Sequence, residues 1–163
     1  MATLYLDTET TGLNPPYADL VEIAVIDDSG RRLVDELCRP RDSLMRSGWP
    51  DAETIHGINP EMVSEARPGD AVRADVVECV AGANLVIYNA QFDTGFFPLL
   101  PAARIDCAML EAQDYFGRFK WPKLIEAAEW IGYDWQATGI KPHRAAGDAL
   151  ATRAVWRYMQ RHQ

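Results

Sequence analysis

The sequence predicts an α/β protein in which helices cover a mixed β-sheet. Three observations support this prediction. Short alternating apolar segments fill the first forty residues, amphipathic segments at helical spacing fill the second half, and apolar segment 84–89 lies among them. Strands first, then strands alternating with helices, are typical of a mixed sheet flanked by helices. The chain has 163 residues, 48% of them hydrophobic, which fits one domain with a sizeable core.

The first part of the chain is predicted to form an antiparallel meander. Three segments have the apolar pattern of buried strands and lie at 2–6, 20–27 and 31–37. Turn-forming residues at 12–19 and 27–30 separate them. Residues 40–69 are rich in Pro, Gly and short polar residues, so we expect irregular structure there with one short helix around Ala52–His56.

The second half is predicted to be mainly helical. Five segments combine apolar periodicity with plausible ends, and they are Asp70–Gly82, Gln91–Leu100, Asp106–Tyr115, Lys123–Ile131 and Ala145–Arg161. In the first of them, Ala71, Ala74 and Val77 are the expected apolar face. Segment 84–89 is predicted as a short buried strand, and Arg104–Ile105 as a brief second one.

Composition limits where the protein works. No apolar run approaches the ~20 residues of a membrane helix, and the N-terminus lacks the pattern of a signal peptide, so we expect no membrane partner. Cys38, Cys79 and Cys107 are widely spaced, which predicts free thiols in a reducing cytoplasm rather than a zinc site. A net charge of −8 disfavours a nucleic-acid binder, unless some of the carboxylates hold cations.

A pair of carboxylates two residues apart marks the stretch Leu4–Leu13. Side chains at i and i+2 of a strand point to one face, so Asp7 and Glu9 would project together and repel each other. A divalent cation such as Mg²⁺, which prefers oxygen ligands, would remove that conflict. The alternative is that the strand has already ended and both acids are solvated in a turn.

A third acid follows the predicted strand 84–89. A helix beginning there would bury Phe92, Phe96 and Leu99 as one stripe, with Asp93 at its edge near the strand end. Asp93 is therefore a candidate for the same site. The alternative is an acid in the first helical turn that merely complements the helix dipole.

The last helix supplies a fourth acid and a histidine. Asp148 shares its predicted face with Ala151, Thr152, Val155 and Met159, where an unpaired carboxylate is unfavourable. Gly139 and Pro142 place His143 on a loop that enters this helix, from which it could reach the same site. The alternatives are an Asp148 paired with an arginine or a backbone amide, and a histidine that is simply exposed.

These residues occur as three motifs in a fixed order. They are Asp7–Leu13 (DTETTGL), Asn89–Asp93 (NAQFD) and His143–Asp148, which fits HxAxxD. A further segment, Ile55–Ile58, lies between the first two. In order and spacing they resemble the motifs of the DEDDh, or DnaQ-like, 3′–5′ exonucleases, and the resemblance spans nearly the whole chain.

The resemblance implies a fold and a set of relatives. It implies an α/β protein with the ribonuclease H-like fold, in which a five-stranded mixed sheet is flanked by helices. Residues 1–163 would form a single exonuclease catalytic domain. The proofreading subunits of bacterial replicases and exonuclease X are the expected relatives within the family.

The resemblance also implies a chemistry for the five candidates. Asp7 would bridge two Mg²⁺ or Mn²⁺ ions, and Glu9 and Asp148 would complete the site of one ion. Asp93 would support the metals directly or through water. His143 would take the proton from the attacking water, a task that suits an imidazole because it titrates close to neutral pH. The products would be a nucleoside 5′-monophosphate and a strand shortened by one nucleotide.

The resemblance further implies contacts to the substrate. Thr10, Gly12 and Leu13 would face the terminal nucleotide, with Leu13 packed on its base in a contact that tolerates any sequence. His56 and Asn89 are candidates for holding the terminal sugar or the backbone. Thr10 could equally be a turn residue without a ligand.

A second group of residues combines cations with aromatic rings. Arg118, Lys120 and Lys123 surround Phe119 and Trp121, an interleaving that suits a single nucleic-acid strand. The alternative is that both rings belong to the core and that the lysines form its solvated rim.

The expected function is removal of nucleotides from the 3′ ends of DNA in repair or proofreading. Its partners would be single-stranded DNA or frayed 3′ ends, and a DNA polymerase is a further candidate. An exonuclease that trims RNA 3′ ends remains an alternative, because contact with a 2′-hydroxyl depends on geometry. A binding module without activity, or a structural subunit of a polymerase assembly, is the alternative from another class.

Overall fold

A computed structural model describes residues 1–162 of the chain, built around a six-stranded mixed sheet with the order β4-β3-β2-β1-β5-β6. The strands are β1 (Thr3–Thr10), β2 (Leu20–Asp27), β3 (Arg32–Arg39), β4 (Arg67–Pro68), β5 (Asn84–Ile87) and β6 (Arg104–Cys107). The first three form the predicted antiparallel meander, whereas β5 and β6 run parallel to β1. The expected count of five is corrected to six, because β4, only two residues long, pairs with the edge of β3.

Within residues 1–162, seven α-helices flank this sheet. They are α1 (Asp42–Ser47), α2 (Pro50–His56), α3 (Gly69–Val80), α4 (Ala90–Thr94), α5 (Ala108–Tyr115), α6 (Leu124–Trp130) and α7 (Ala145–Arg161), and a 3₁₀ turn lies at Trp135–Thr138. Among the residues described, no helix is long and apolar enough to cross a membrane.

One helix prediction needs correction, and one helix was not predicted. The helix expected to reach Leu100 ends after Thr94, since Pro98 lacks a backbone donor and restricts the residue before it. Leu99, expected in the buried stripe, is consequently 68% exposed. Helix α1 was not predicted, because it has no buried residue and hence no apolar stripe to reveal it.

The sheet separates two apolar layers. Helix α3 covers one face through Val72, Val76 and Val80, so the face expected from Ala71, Ala74 and Val77 was wrong. On the other face α5, α6 and α7 pack together, with Val155 and Met159 of α7 in the same cluster as Tyr5 of β1. Alternation along β1 therefore sends Tyr5 and every second residue after it toward the side of the sheet covered by α7.

Candidate active site

The last residues of β1 carry the first two acids. The strand continues to Thr10 instead of ending at residue 6, so the paired carboxylates lie on a strand and the solvated-turn alternative is wrong. Asp7 and Glu9 follow Tyr5 on the face that α7 covers. Asp7 is only 8% exposed, and Glu9 is half-buried.

The N-terminal turn of α7 brings the third acid to this face. One carboxylate oxygen from each of Asp7, Glu9 and Asp148 lies within 4.8 Å of the others. Asp148 accepts a hydrogen bond from the backbone N–H of His143 at 3.0 Å, and among the described residues no arginine forms an ion pair with it. The apolar residues below it, including Val155 and Met159, are fully buried. The three carboxylates therefore meet because α7 packs across β1.

Crowding of these acids perturbs their protonation. Burial and then the neighbouring negative charges raise the pKa of Glu9 to about 9 and hold the pKa of Asp7 well above its ordinary value. Burial likewise raises the pKa of Asp148 to about 6, although the hydrogen bond from His143 opposes it. The Oδ2 atom of Asp7 is buried and has no hydrogen-bond partner. A divalent cation fits this set, since it would satisfy the orphaned oxygen and offset the repulsion.

Asp93 joins the cleft from another direction. It lies on α4, is 4% exposed, and accepts a hydrogen bond of 2.6 Å from the hydroxyl of Thr8. Burial raises the pKa of Asp93 to about 7, and the Thr8 hydroxyl opposes this rise. Asp93 is outside the three-carboxylate group but lines the same cleft of about 160 Å³.

His143 occupies the loop before α7, as expected from Gly139 and Pro142. Its side chain is exposed and lines the cleft together with Asp148. Its backbone has φ = 60°, a left-handed conformation that few residues other than glycine adopt. The hydrogen bond from His143 N–H to Asp148 holds this turn, so the loop positions the histidine and the acid together.

An ion pair missed by sequence reasoning fixes the same loop. Arg144 Nη2 lies 2.6 Å from Glu22 Oε1, and Glu22 also accepts the backbone N–H of Ala145 at 2.9 Å. Glu22 is 4% exposed and lies opposite Glu9 across the β1–β2 pair. Arg144 therefore neutralises a carboxylate that would otherwise add to the repulsion in the cleft. The signal in the sequence is a lone acid within the buried strand β2.

Gly147 allows the loop to approach α7 closely. A Cβ atom at this position would lie 2.8 Å from the carbonyl oxygen of Lys141 and 2.9 Å from Cγ2 of Ile140. Both distances are shorter than van der Waals contact, so only glycine leaves room for the loop that carries His143. The sequence offers one hint, a glycine within the first turn of a helix.

A second cavity, of about 590 Å³, adjoins the cleft on the side of the β1–β2 turn. Thr10, Gly12, Leu13 and His56 all line it, as do two residues that sequence reasoning missed, Phe92 and Ile55. Leu13 is 84% exposed, so its side chain is free to meet a ligand. Thr10 donates a hydrogen bond to the Gly12 carbonyl at 2.7 Å, which favours its role as a turn residue.

The other two predicted contact residues already have partners in the protein. His56 is buried, accepts the backbone N–H of Ile58 at Nδ1, and lies 3.0 Å from the Thr10 carbonyl through Nε2. Those partners assign the proton to Nε2, and burial lowers the pKa of the ring. Asn89 caps α4 by accepting the N–H of Phe92 and also lines the cleft. Both side chains therefore shape the walls of the site.

Comparisons with known proteins show the family to which the chain belongs. The model of the exonuclease family matches residues 4–156. The chain is 32% identical, over 93% of its length and 84% of the relative's, to a protein of Escherichia phage 186 named "Uncharacterized exonuclease CP81". It is also 35% identical to the DNA polymerase III subunit epsilon of Pasteurella multocida, over 57% of this chain and 39% of that subunit.

Solved structures extend the likeness to the whole fold. Exonuclease X, in a complex with 5′ overhanging duplex DNA, superposes with a TM-score of 0.77 at 27% identity and covers 99% of this chain and 92% of its own. Escherichia coli exonuclease I with a dT13 oligonucleotide has the same TM-score at 19% identity, over 98% of this chain and 41% of that one, which supports the ribonuclease H-like fold alone. The chain belongs to the DnaQ-like, or DEDDh, family of 3′–5′ exonucleases.

Proposed function

We propose that residues 1–163 form one catalytic domain that removes nucleotides from the 3′ ends of DNA, at single strands or frayed ends. The observation that carries this proposal is the group formed by buried Asp7 with Glu9 and Asp148, in which an Asp7 oxygen has no hydrogen-bond partner among the described residues. If this site had no catalytic role, replacing the like charges with neutral side chains would make the protein more stable. Retaining them is reasonable if a cation and a phosphate occupy the cleft.

The carboxylates are suited to hold two Mg²⁺ or Mn²⁺ ions. Asp7, whose Oδ2 atom has no hydrogen-bond partner among the described residues, would hold them together with Glu9 and Asp148. Asp93 on α4, which accepts a hydrogen bond from Thr8, would help to hold the ions directly or through water. When bound, the ions would supply an activated water and stabilise charge on the scissile phosphate.

His143 is the proposed proton acceptor. It is exposed at the mouth of the cleft, on a turn whose N–H is fixed by Asp148. An imidazole held there can take a proton from water at neutral pH and release it to solvent. The Glu22–Arg144 pair and Gly147 act on this step only by keeping the loop in place.

The cavity beside the β1–β2 turn is the proposed site of the terminal nucleotide. Its walls offer the exposed Leu13 and Ile55 and the ring of Phe92, which suit the faces of a base. Thr10 and Gly12 present the backbone of the turn to the sugar. His56 lines this cavity and Asn89 lines the adjoining cleft, and the polar atoms of both side chains form hydrogen bonds within the protein.

Two relatives favour DNA as the substrate and repair or proofreading as the role. One is a subunit of DNA polymerase III, and the other is a nuclease in complex with DNA. A polymerase is accordingly a candidate partner, although the chain matches only 98 residues of that subunit. The experiment below distinguishes this proposal from two alternatives, the trimming of RNA 3′ ends and a purely binding role.

The test uses 5′-labelled single-stranded DNA and RNA oligonucleotides of one sequence. Wild-type protein is incubated with each in Mg²⁺, in Mn²⁺ and in chelator, beside Asp7→Asn and a control, Asp114→Asn. Asp114 is an exposed acid on α5, outside the cleft, so the control makes the same chemical change without touching the cluster.

We expect a ladder that shortens from the 3′ end of the DNA, depends on metal, and persists in Asp114→Asn but not in Asp7→Asn. Faster shortening of RNA than of DNA would replace DNA with RNA as the substrate. No cleavage of either strand, with protein that still binds metal, would refute catalysis and leave the binding role.

A further inference from the structure

The loop between α5 and α6 displays two aromatic rings to solvent. Phe119 is fully exposed, and Trp121 is 61% exposed, so the alternative that both belong to the core is wrong. Burying rings of this size away from water is favourable, yet the described residues leave both rings exposed. Such a surface is typical of a binding site.

This loop is held rigidly although its rings are exposed. Pro122 is buried and its carbonyl accepts a hydrogen bond of 2.8 Å from the hydroxyl of Tyr88. The carbonyl of Phe119 accepts one of 3.3 Å from the side-chain amide of Gln113. Arg118 is stacked over the ring of Trp130, 4.3 Å from its centre. Rings presented on a fixed backbone lose little freedom when a ligand binds.

A third cavity connects this loop to the catalytic cleft. It measures about 520 Å³, and Trp121, Ile125 and Trp135 are among the residues that line it. His143 and Asp148 line it too, and both also line the cleft. A molecule that extends from the carboxylates into this cavity would therefore meet Trp121.

The charge around the cavity suits a polyanion. All three lysines of the chain, Lys120, Lys123 and Lys141, lie close in sequence to Trp121 or His143. In the part of the chain that the structure describes, none of them forms an ion pair, whereas nine arginines do. Lys120 and Lys123 therefore bring positive charge to the two rings, on a chain whose net charge is −8.

We propose that Phe119 and Trp121, with Lys120 and Lys123, form a stacking platform for the single-stranded nucleotides on the 5′ side of the scissile phosphate. The proposal rests on the function proposed above. If the terminal nucleotide lies beside Leu13 and the scissile phosphate lies at the carboxylates, the preceding nucleotides leave toward the third cavity. Bases would stack on the rings, and the lysines would meet their phosphates.

The platform gives the enzyme a preference for strands that are already unpaired. A base in a duplex is stacked on its neighbours, so it must leave the helix before it can pack on Phe119 or Trp121. Stacking tolerates any base, so this preference does not require a particular sequence. Blunt duplex ends would be bound less well than single strands because they cannot use the platform.

The test compares two ligands by calorimetry in Mg²⁺, using Asp7→Asn to prevent turnover. Thymidine 5′-monophosphate fills only the terminal site, whereas unlabelled hexathymidylate also reaches the platform. The double variant Phe119→Ala with Trp121→Ala is compared with Leu99→Ala. This control also removes an exposed apolar side chain, but Leu99 lines none of the three cavities. The conservative variant Trp121→Phe keeps an aromatic face.

We expect the double variant to raise the Kd of hexathymidylate at least tenfold and that of the monophosphate less than twofold. Leu99→Ala should change neither, and Trp121→Phe alone should stay within threefold. Unchanged hexathymidylate affinity in the double variant, or equal loss for both ligands, would overturn the platform. Cleavage by the wild-type protein tests the proposed function separately, because an enzyme that cleaves normally can still lack the platform.

Discussion

Replacing Asp7 with asparagine should abolish cleavage and yet raise the unfolding temperature of the metal-free protein at pH 8.5. The reason is that Asp7 is buried against Glu9 and Asp148, with an oxygen that has no partner. Without a cation, ionised carboxylates at this distance oppose folding. An asparagine of the same shape removes one charge and supplies an N–H₂ donor to the two that remain.

The magnitude can be worked from Asp148. Its pKa rises from 3.8 to about 6, and each pH unit corresponds to about 1.4 kcal/mol, so ionising it costs about 3 kcal/mol more in the folded protein. Asp7 is at least as unfavourably placed, so its replacement should stabilise the protein by about 3 kcal/mol. For a chain of this size that is a rise of about 6–12 °C.

The sign of the pH dependence follows from the raised pKa values. A carboxyl group whose folded pKa is raised contributes stability below its unfolded pKa, near 4, and loses it as the pH rises through the folded value. That loss extends through about 6 for Asp148 and about 9 for Glu9. The advantage of Asp7→Asn should therefore be largest at pH 8.5 and small near pH 4, where the carboxyl groups are protonated in the unfolded chain as well.

The assay is thermal unfolding in chelator at both pH values, with Asp114→Asn as the matched control. Comparing variants at one pH cancels the opposite effect of buried His56, whose lowered pKa disfavours the folded state in acid. Added Mg²⁺ should reverse the order by stabilising the wild type more than Asp7→Asn. If Asp7→Asn melts at or below the wild type at pH 8.5 in chelator, burial of unpaired charge is the wrong account of the cluster.

Three further changes test the loop before α7. His143→Ala should lower kcat for DNA cleavage about 10²–10⁴-fold while leaving the stabilisation by Mg²⁺ intact, since the histidine supplies no proposed ligand; lost metal stabilisation would contradict this. Arg144→Ala leaves Glu22 buried without its counter-ion, so the free energy of unfolding measured in urea should fall by about 2–3 kcal/mol. Adding Glu22→Gln should restore part of that loss. Gly147→Ala should destabilise by about 1–3 kcal/mol in the same assay and reduce cleavage, and unchanged activity would mean that the loop need not pack so closely.

The residues most predictable from sequence were those whose chemistry conflicts with their local pattern. Two acids on a strand and one on an apolar helical face are unfavourable unless a cation offsets their charge, which predicts a common site. The structure brings Asp7, Glu9 and Asp148 together. The meander and the buried face of α7 followed from periodicity, because the residues on those faces are strongly apolar.

What escaped prediction depends on distant parts of the chain. The ion pair of Glu22 with Arg144 joins residues 122 positions apart, and the sequence around either residue does not indicate its partner. The face of α3 was misjudged because alanine and valine alternate there, so several stripes are almost equally apolar. The exposure of Phe119 and Trp121 is similarly non-local, since it depends on Pro122 reaching Tyr88 and leaving both rings outside.

Net charge was the weakest guide to function, and its failure has a physical reason. The formal charge of −8 counts the buried acids as ionised, although their raised pKa values show that the metal-free protein resists that state. With divalent cations in the cleft, these carboxylates would present little negative charge to a phosphate. Lys120, Lys123 and Lys141 then add positive charge along the path proposed for the strand. For an enzyme that holds its substrate through metals, the position of the unpaired cations is more informative than the total.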